Sequence, residues 1–216
     1  MLRSLKYEYL LFDFDGTLID TNELIIKTIR ETSKQFLTRD VTEEVLNSIL
    51  GKPLEEQMKC LCPDSYKEMV LLYKTLYKSY HDEMIKEFPG IGKMLCELKK
   101  VGCKISIVSA KGRGGIENGL KHFNLQNYID VIVSAYDIIN NKPHPEPALK
   151  AINAMGCSVE NALMIGDSPY DILCGKNAGI KTVLVDWTIF PKDELLKLQP
   201  DYCIKNPQEL LEIIKL

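Results

Sequence analysis

The chain has 216 residues, 45% of them hydrophobic and 26% charged, with a formal net charge of -3. That is an ordinary globular composition, long enough for one large domain or for a core with an insert. The acidic balance argues against a general nucleic-acid surface, so an anionic ligand depends on local cations rather than on a global field.

The first predicted element is the apolar run Tyr9-Leu10-Leu11-Phe12, a strand that stops in Asp13-Phe14-Asp15-Gly16-Thr17-Leu18. Asp13 cuts the run too short for a signal h-region or a membrane span. Seven cysteines, an odd number with no C-x-x-C pair, read as scattered thiols of an intracellular core. A soluble cytoplasmic protein with no membrane partner is expected.

After Asp20, the chain to about Phe88 reads as helix throughout. Met69, Leu72, Tyr73, Leu76, Tyr77 and Tyr80 form one apolar stripe at helical spacing. Leu24, Ile25, Ile29 and Phe36 form a weaker one. Pro63 stands where a first-turn proline is tolerated, and Gly51-Lys52-Pro53 marks a loop. With no strand-like alternation, residues 20–88 are expected to form a separate helical insert. Its apolar stripe suits either an internal core or a dimer face, so monomer and homodimer both remain open.

From Pro89 the pattern alternates. Strands are predicted at Lys104–Val108, Ile129–Val133, Ala162–Ile165 and Thr182–Val185, with a short one around Tyr202. Helices are predicted at Gly92–Val101, Ile116–Phe123, Glu146–Met155, Tyr170–Ala178 and Lys192–Leu198, and from Pro207. Apolar strands alternating with helices imply a parallel α/β sheet covered on both faces, formed by residues 1–19 and 89–216. Ligands of such sheets bind beyond the carboxyl ends of the strands.

Polar residues stand at those ends. Asp13 and Asp15 repel each other and need a cation, a proton or a substrate to offset them. Ser109 ends the next strand; its hydroxyl and the N–H of Ala110 suit phosphoryl oxygens, although a serine there also serves as a simple cap. Lys111 and Arg113 read as surface charges, with a contact to substrate as the alternative, and Gly112-Arg113-Gly114-Gly115 as a weak phosphate-loop signal whose paired glycines should loosen the helix start. Lys142 precedes Pro143-His144-Pro145-Glu146-Pro147, expected to be an extended link. It is either a fixed counter-charge or a solvated lysine before a turn. Gly166-Asp167-Ser168-Pro169-Tyr170-Asp171 supplies a second acid pair, the kind of oxygen donor set that Mg2+ prefers. Asp171 also suits the first turn of a helix.

The stations D-x-D-G-T-L, Ser109, K-P-x-P and G-D-x-x-x-D resemble, in order and spacing, the motifs of the haloacid dehalogenase (HAD) superfamily. The likeness covers almost the whole chain and implies a Rossmann-like core with an inserted helical C1 cap. Most members are Mg2+-dependent phosphohydrolases. By this resemblance Asp13 is the nucleophile that forms an aspartyl-phosphate, and Asp15 is the acid for the leaving group and then the base for water. Asp13, Asp167 and the Asp15 backbone carbonyl would hold Mg2+, with Asp171 acting through water or by orienting Lys142. Thr17, Ser109, Ala110 and Lys142 would face the phosphoryl group, Thr17 equally suiting a turn role. Cap residues Gly51 and Lys52 suit a substrate loop, and Lys142–Pro143 is expected to be cis.

Within the superfamily the chain is similar to phosphoglycolate phosphatases and to HAD-type inorganic pyrophosphatases. The likeness lies in Leu18–Ile25, His81-Asp82-Glu83 and Trp187-Thr188; Ser109-Ala110-Lys111 departs from the threonine usual there. The implied substrate is a small anionic phosphate monoester or pyrophosphate. A sugar phosphomutase of the beta-phosphoglucomutase type is the alternative, and a dehalogenase or a non-catalytic binding protein fits the intact acids less well.

Overall fold

The computed structural model describes residues 5–215. In chain order, β1 (Tyr9–Phe12) leads through a tight loop to β2 (Ile19–Asp20). Four helices follow: α1 (Asn22–Ser33), α2 (Glu43–Ile49), α3 (Leu54–Leu61) and α4 (Tyr66–Met84). The chain returns through β3 (Lys86–Glu87) to α5 (Ile91–Lys100), β4 (Lys104–Val108), α6 (Arg113–His122) and β5 (Val131–Val133). Then come α7 (Glu146–Met155), β6 (Ala162–Gly166), α8 (Pro169–Asn177) and β7 (Lys181–Val185). The last elements are α9 (Lys192–Lys197), β8 (Tyr202–Ile204) and α10 (Leu210–Ile213).

The chain divides into two compact units, one running to Ile19 and resuming at Glu87, the other spanning Asp20–Lys86. The larger unit has the expected α/β fold. Its six strands run in the order β5-β4-β1-β6-β7-β8, and every pairing is parallel. Leu10, Leu11 and Phe12 of the central strand are all buried, as they must be when both faces of a sheet are covered. Leu11, Val108 and Met164 join Ala148, Ala151, Ile152 and Cys174 of α7 and α8 in one apolar cluster. Register positions the chemistry: Phe12 lies opposite both Ile107 and Ile165. Asp13, Ser109 and Asp167 therefore emerge together at one edge of the sheet, beside the strand at which the connection order reverses.

The smaller unit buries Leu24, Ile29, Leu46, Ile49, Met58, Met69 and Tyr73. Of the predicted α4 stripe, Met69 and Tyr73 lie in this core, while Leu72, Leu76, Tyr77 and Tyr80 are half-buried. Three local details differ from expectation. Residues 20–88 are not wholly helical, because β2 and β3 pair where the chain enters and leaves the helices. Pro63 lies before the α4 cap residue Ser65, where it separates two helices instead of starting one. Helix α6 begins at Arg113 and includes Gly114 and Gly115, ahead of the predicted start at Ile116. Among the described residues, no helix is long and apolar enough to cross a membrane.

Candidate active site

Backbone geometry shapes the loop after β1. The Asp13 N–H donates to the Ile165 carbonyl at 2.8 Å, extending the ladder by one residue. The chain then folds back, with Leu18 and Ile19 N–H groups both donating to the Phe14 carbonyl at 3.0 and 3.1 Å. Gly16 takes φ +80°, and a Cβ there would stand 2.6 Å from Asp167 Oδ2. Both the left-handed backbone and the close approach call for glycine.

At this edge Lys142 Nζ lies 2.9 Å from Asp13 Oδ1 and 2.6 Å from Asp171 Oδ1, with only 4% of its side chain exposed. Burial works to lower the Lys142 pKa, but the two carboxylates outweigh it and hold the ammonium charged. Oxygens of Asp13, Asp167 and Asp171, all buried, lie within 4.8 Å of one another. Burial pushes Asp13 up to about 7 although Lys142 pulls the other way. Asp167 is raised well above the carboxylate range by burial, then by Asp171 and Asp13. Three hard oxygen donors, buried and with more negative charge than one lysine neutralises, fit a divalent cation such as Mg2+.

The second acid pair is built by the start of α8. Ser168 Oγ accepts from the Asp171 N–H at 3.4 Å, while Asp171 Oδ2 accepts from the Ser168 N–H at 3.0 Å and from its hydroxyl at 2.6 Å. Asp171 thus joins two predicted placements, Oδ2 in the capping box of α8 and Oδ1 on Lys142. Gly166 leaves it room, since a Cβ there would lie 2.3 Å from the Asp171 side chain. Asp167 is held by the Thr17 hydroxyl, which donates to Oδ1 at 3.0 Å, and Thr17 itself is buried. The Thr188 hydroxyl donates to the Asp167 carbonyl at 2.6 Å, and Trp187 Nε1 to the Thr17 carbonyl at 3.1 Å. In the sequence Trp187 and Thr188 carry a likeness to the phosphatase and pyrophosphatase groups, with nothing to connect them to Asp167.

Lys142 reaches the cluster from a turn, not the expected extended link. Lys142–Pro143 is cis, as the resemblance implied. Proline restricts φ but leaves ψ free; Pro145 sits at φ -71°, ψ -15°. Helix α8 holds the turn: Asn177 Nδ2 donates to the Pro143 carbonyl at 2.9 Å and Cys174 Sγ to that of His144 at 3.2 Å.

Ser109 is buried, and its Oγ accepts from the Lys111 N–H at 3.2 Å; Ala110 between them is half-buried. Lys111 is not the expected surface charge. Its Nζ lies 2.9 and 3.1 Å from the two carboxylate oxygens of Asp15. Arg113 does stay at the surface, paired with Asp137 at 3.0 Å. Gly51 and Lys52 belong to the helical unit, where Gly51 at φ +85° turns the chain between α2 and α3. The Lys52 carbonyl there accepts from Gln57 Nε2 at 2.7 Å.

A parallel sheet with buried acids and a lysine at its carboxyl edge defines an α/β enzyme with a charged, cation-seeking centre. The chain belongs to the haloacid dehalogenase-like hydrolase family, whose model matches residues 10–185. It is 39% identical over 204 residues to the pyrophosphatase PpaX of Halalkalibacterium halodurans, covering 94% of this chain and 95% of that one. Among solved structures, a haloacid dehalogenase-like hydrolase of Streptococcus pneumoniae superposes with a TM-score of 0.82 at 26% identity, covering 96% of this chain and 98% of that one. A beta-phosphoglucomutase of Clostridium difficile shares the fold with a TM-score of 0.83 at 24% identity, covering 94% and 93%.

Proposed function

We propose that the protein is a Mg2+-dependent phosphohydrolase that works through an aspartyl-phosphate and acts on pyrophosphate or a small phosphate monoester. The observation that carries this reading is the buried set Asp13, Lys142, Asp167 and Asp171, with Asp15 two residues after Asp13. A phosphoryl group is shielded by its own anionic oxygens, so a carboxylate attacks it only where cations offset that charge. Asp13, Asp167 and the Asp15 carbonyl would hold Mg2+, with Asp171 behind them. When bound, the ion supplies charge neutralisation for the transferring phosphoryl group.

In the first step an Asp13 oxygen forms a bond to phosphorus. The bond from phosphorus to the leaving oxygen breaks, and its electron pair stays with that oxygen, which takes a proton from Asp15. In the second step Asp15 accepts a proton from water as that water attacks phosphorus, releasing phosphate and restoring the Asp13 carboxylate. Lys142 stays charged beside the phosphoryl oxygens throughout, with the Ser109 hydroxyl and Ala110 N–H as further donors. Thr17 holds Asp167 in place. The helical unit serves as the cap, with Gly51 and Lys52 as its substrate loop, in a cytoplasmic enzyme. The relative named a pyrophosphatase supports pyrophosphate as the leading substrate. The likeness to the Clostridium difficile mutase, at 24% identity, is one of fold alone.

The test is phosphate release from pyrophosphate, 2-phosphoglycolate and a panel of sugar phosphates, with Mg2+ and with EDTA, beside Asp13→Asn. Turnover that needs Mg2+ and vanishes in the variant is expected. No release from any substrate would overturn the proposal.

A further inference from the structure

We infer that Lys111 is a specificity-determining residue whose ammonium, held against Asp15, recognises an anionic group carried by the leaving group. This rests on the phosphohydrolase reading above. Lys111 Nζ touches both Asp15 oxygens, and the two side chains are 14% and 20% exposed. The pair is therefore shielded yet partly exposed, unlike Lys142, which is buried against Asp13 and Asp171.

The placement is built into the fold. The Lys111 N–H donates to Ser109 Oγ at 3.2 Å, and its carbonyl accepts from the Ala135 N–H at 3.0 Å. Its stem then lies across the first turn of α6. A Cβ on Gly115 would stand 2.9 Å from Lys111 Cε and 3.3 Å from Cδ and Cγ. Gly115, which looked like a weakness in the helix, is the clearance that lets the lysine lie flat toward Asp15. A stem confined in this way has given up much of the rotamer freedom a surface lysine keeps.

The chemistry follows from which oxygen Asp15 serves. Asp15 protonates the leaving oxygen, so a cation on Asp15 stands on the leaving-group side of the breaking bond. Lys142 stands on the transferred phosphoryl side. A neutral alcohol offers Lys111 nothing to bind, whereas a departing phosphate or carboxylate does. The preferred substrate is thus a phosphoanhydride or an ester with a second anion close to the scissile oxygen. Pyrophosphate and 2-phosphoglycolate share this chemistry. Lys111 moves no proton in either step.

The experiment compares wild type, Lys111→Met, Lys111→Arg and Gly115→Ala on pyrophosphate, 2-phosphoglycolate and phenyl phosphate at saturating Mg2+. Losing one charge-assisted contact predicts a roughly 10–100-fold fall in kcat/KM for the doubly anionic substrate in Lys111→Met, several-fold larger than for phenyl phosphate. Arginine should restore most of the preference, and Gly115→Ala should erode it in the same direction. Calorimetric titration of inorganic phosphate should show weaker binding to Lys111→Met. Whichever of pyrophosphate and phosphoglycolate loses more is the anion Lys111 reads. Equal losses on all three substrates, with thermal melts unchanged, would overturn this assignment alone. A wild type that releases phosphate from none of them would overturn the phosphohydrolase reading and this assignment with it.

Discussion

Lys142 binds two buried carboxylates at once, and that makes it structural as well as chemical. Removing one partner of a buried ion cluster leaves charge that neither water nor protein compensates, at a cost of about 3–5 kcal/mol. Lys142→Met should lose stability on that scale in urea unfolding with EDTA present. Adding Asp171→Asn to it should recover part of the loss, because the uncompensated charge is then reduced. A double variant no more stable than Lys142→Met would show that the charge at Asp171 is not what the lysine offsets. Lys111 and Asp15 sit at partly exposed positions, so the same truncation there should cost far less stability.

At the scale of elements, the start of α8 and the loop after β1 are where local rules and chemistry meet. Ser168→Ala removes an N-cap and should cost about 1 kcal/mol in urea unfolding. It should also weaken Mg2+ binding in calorimetry, since Asp171 Oδ2 loses one of its two Ser168 donors. Full retention of Mg2+ affinity would separate the cap from the site. Gly16→Ala meets both a positive φ and Asp167 Oδ2 at 2.6 Å. It should unfold more easily and bind Mg2+ more weakly, and a variant with wild-type affinity would contradict the close packing described. Strand ends were readable here because an apolar run that stops at an acid is a one-dimensional signal. The placement of Lys111 was not, because it depends on the missing side chain of Gly115 in the next helix. The shape of the K-P-x-P turn is not legible in its own residues, because it is set by Asn177 and Cys174, which follow it by thirty residues or more.

For the molecule as a whole, alternating apolar strands and helices already dictate a parallel sheet, and the sheet forms as expected. Strand order is a property of the assembled core and is not written in any one segment. The buried acids also tie stability to pH. In the folded chain burial lifts Asp13 from 3.8 to about 7. Its proton therefore favours folding fully below pH 3.8, and that contribution is lost as pH rises through about 7. In EDTA, the Asp13 contribution makes the Tm fall between about pH 5 and pH 8, and Asp13→Asn should flatten the slope. Mg2+ binds the carboxylate form, so it should raise Tm more at about pH 8 than at about pH 5. An Mg2+ shift that does not grow with pH would contradict the assignment of Asp13 as a ligand.

The central claim is that Asp13 carries the phosphoryl group, and acid-quenched single turnovers with pyrophosphate labelled at phosphorus test it most directly. Label that rises and falls on the protein with Mg2+, and is absent from Asp13→Asn, is the predicted result. Phosphate released at full rate with no label ever on the protein would mean that water attacks directly, and the aspartyl-phosphate account would be wrong.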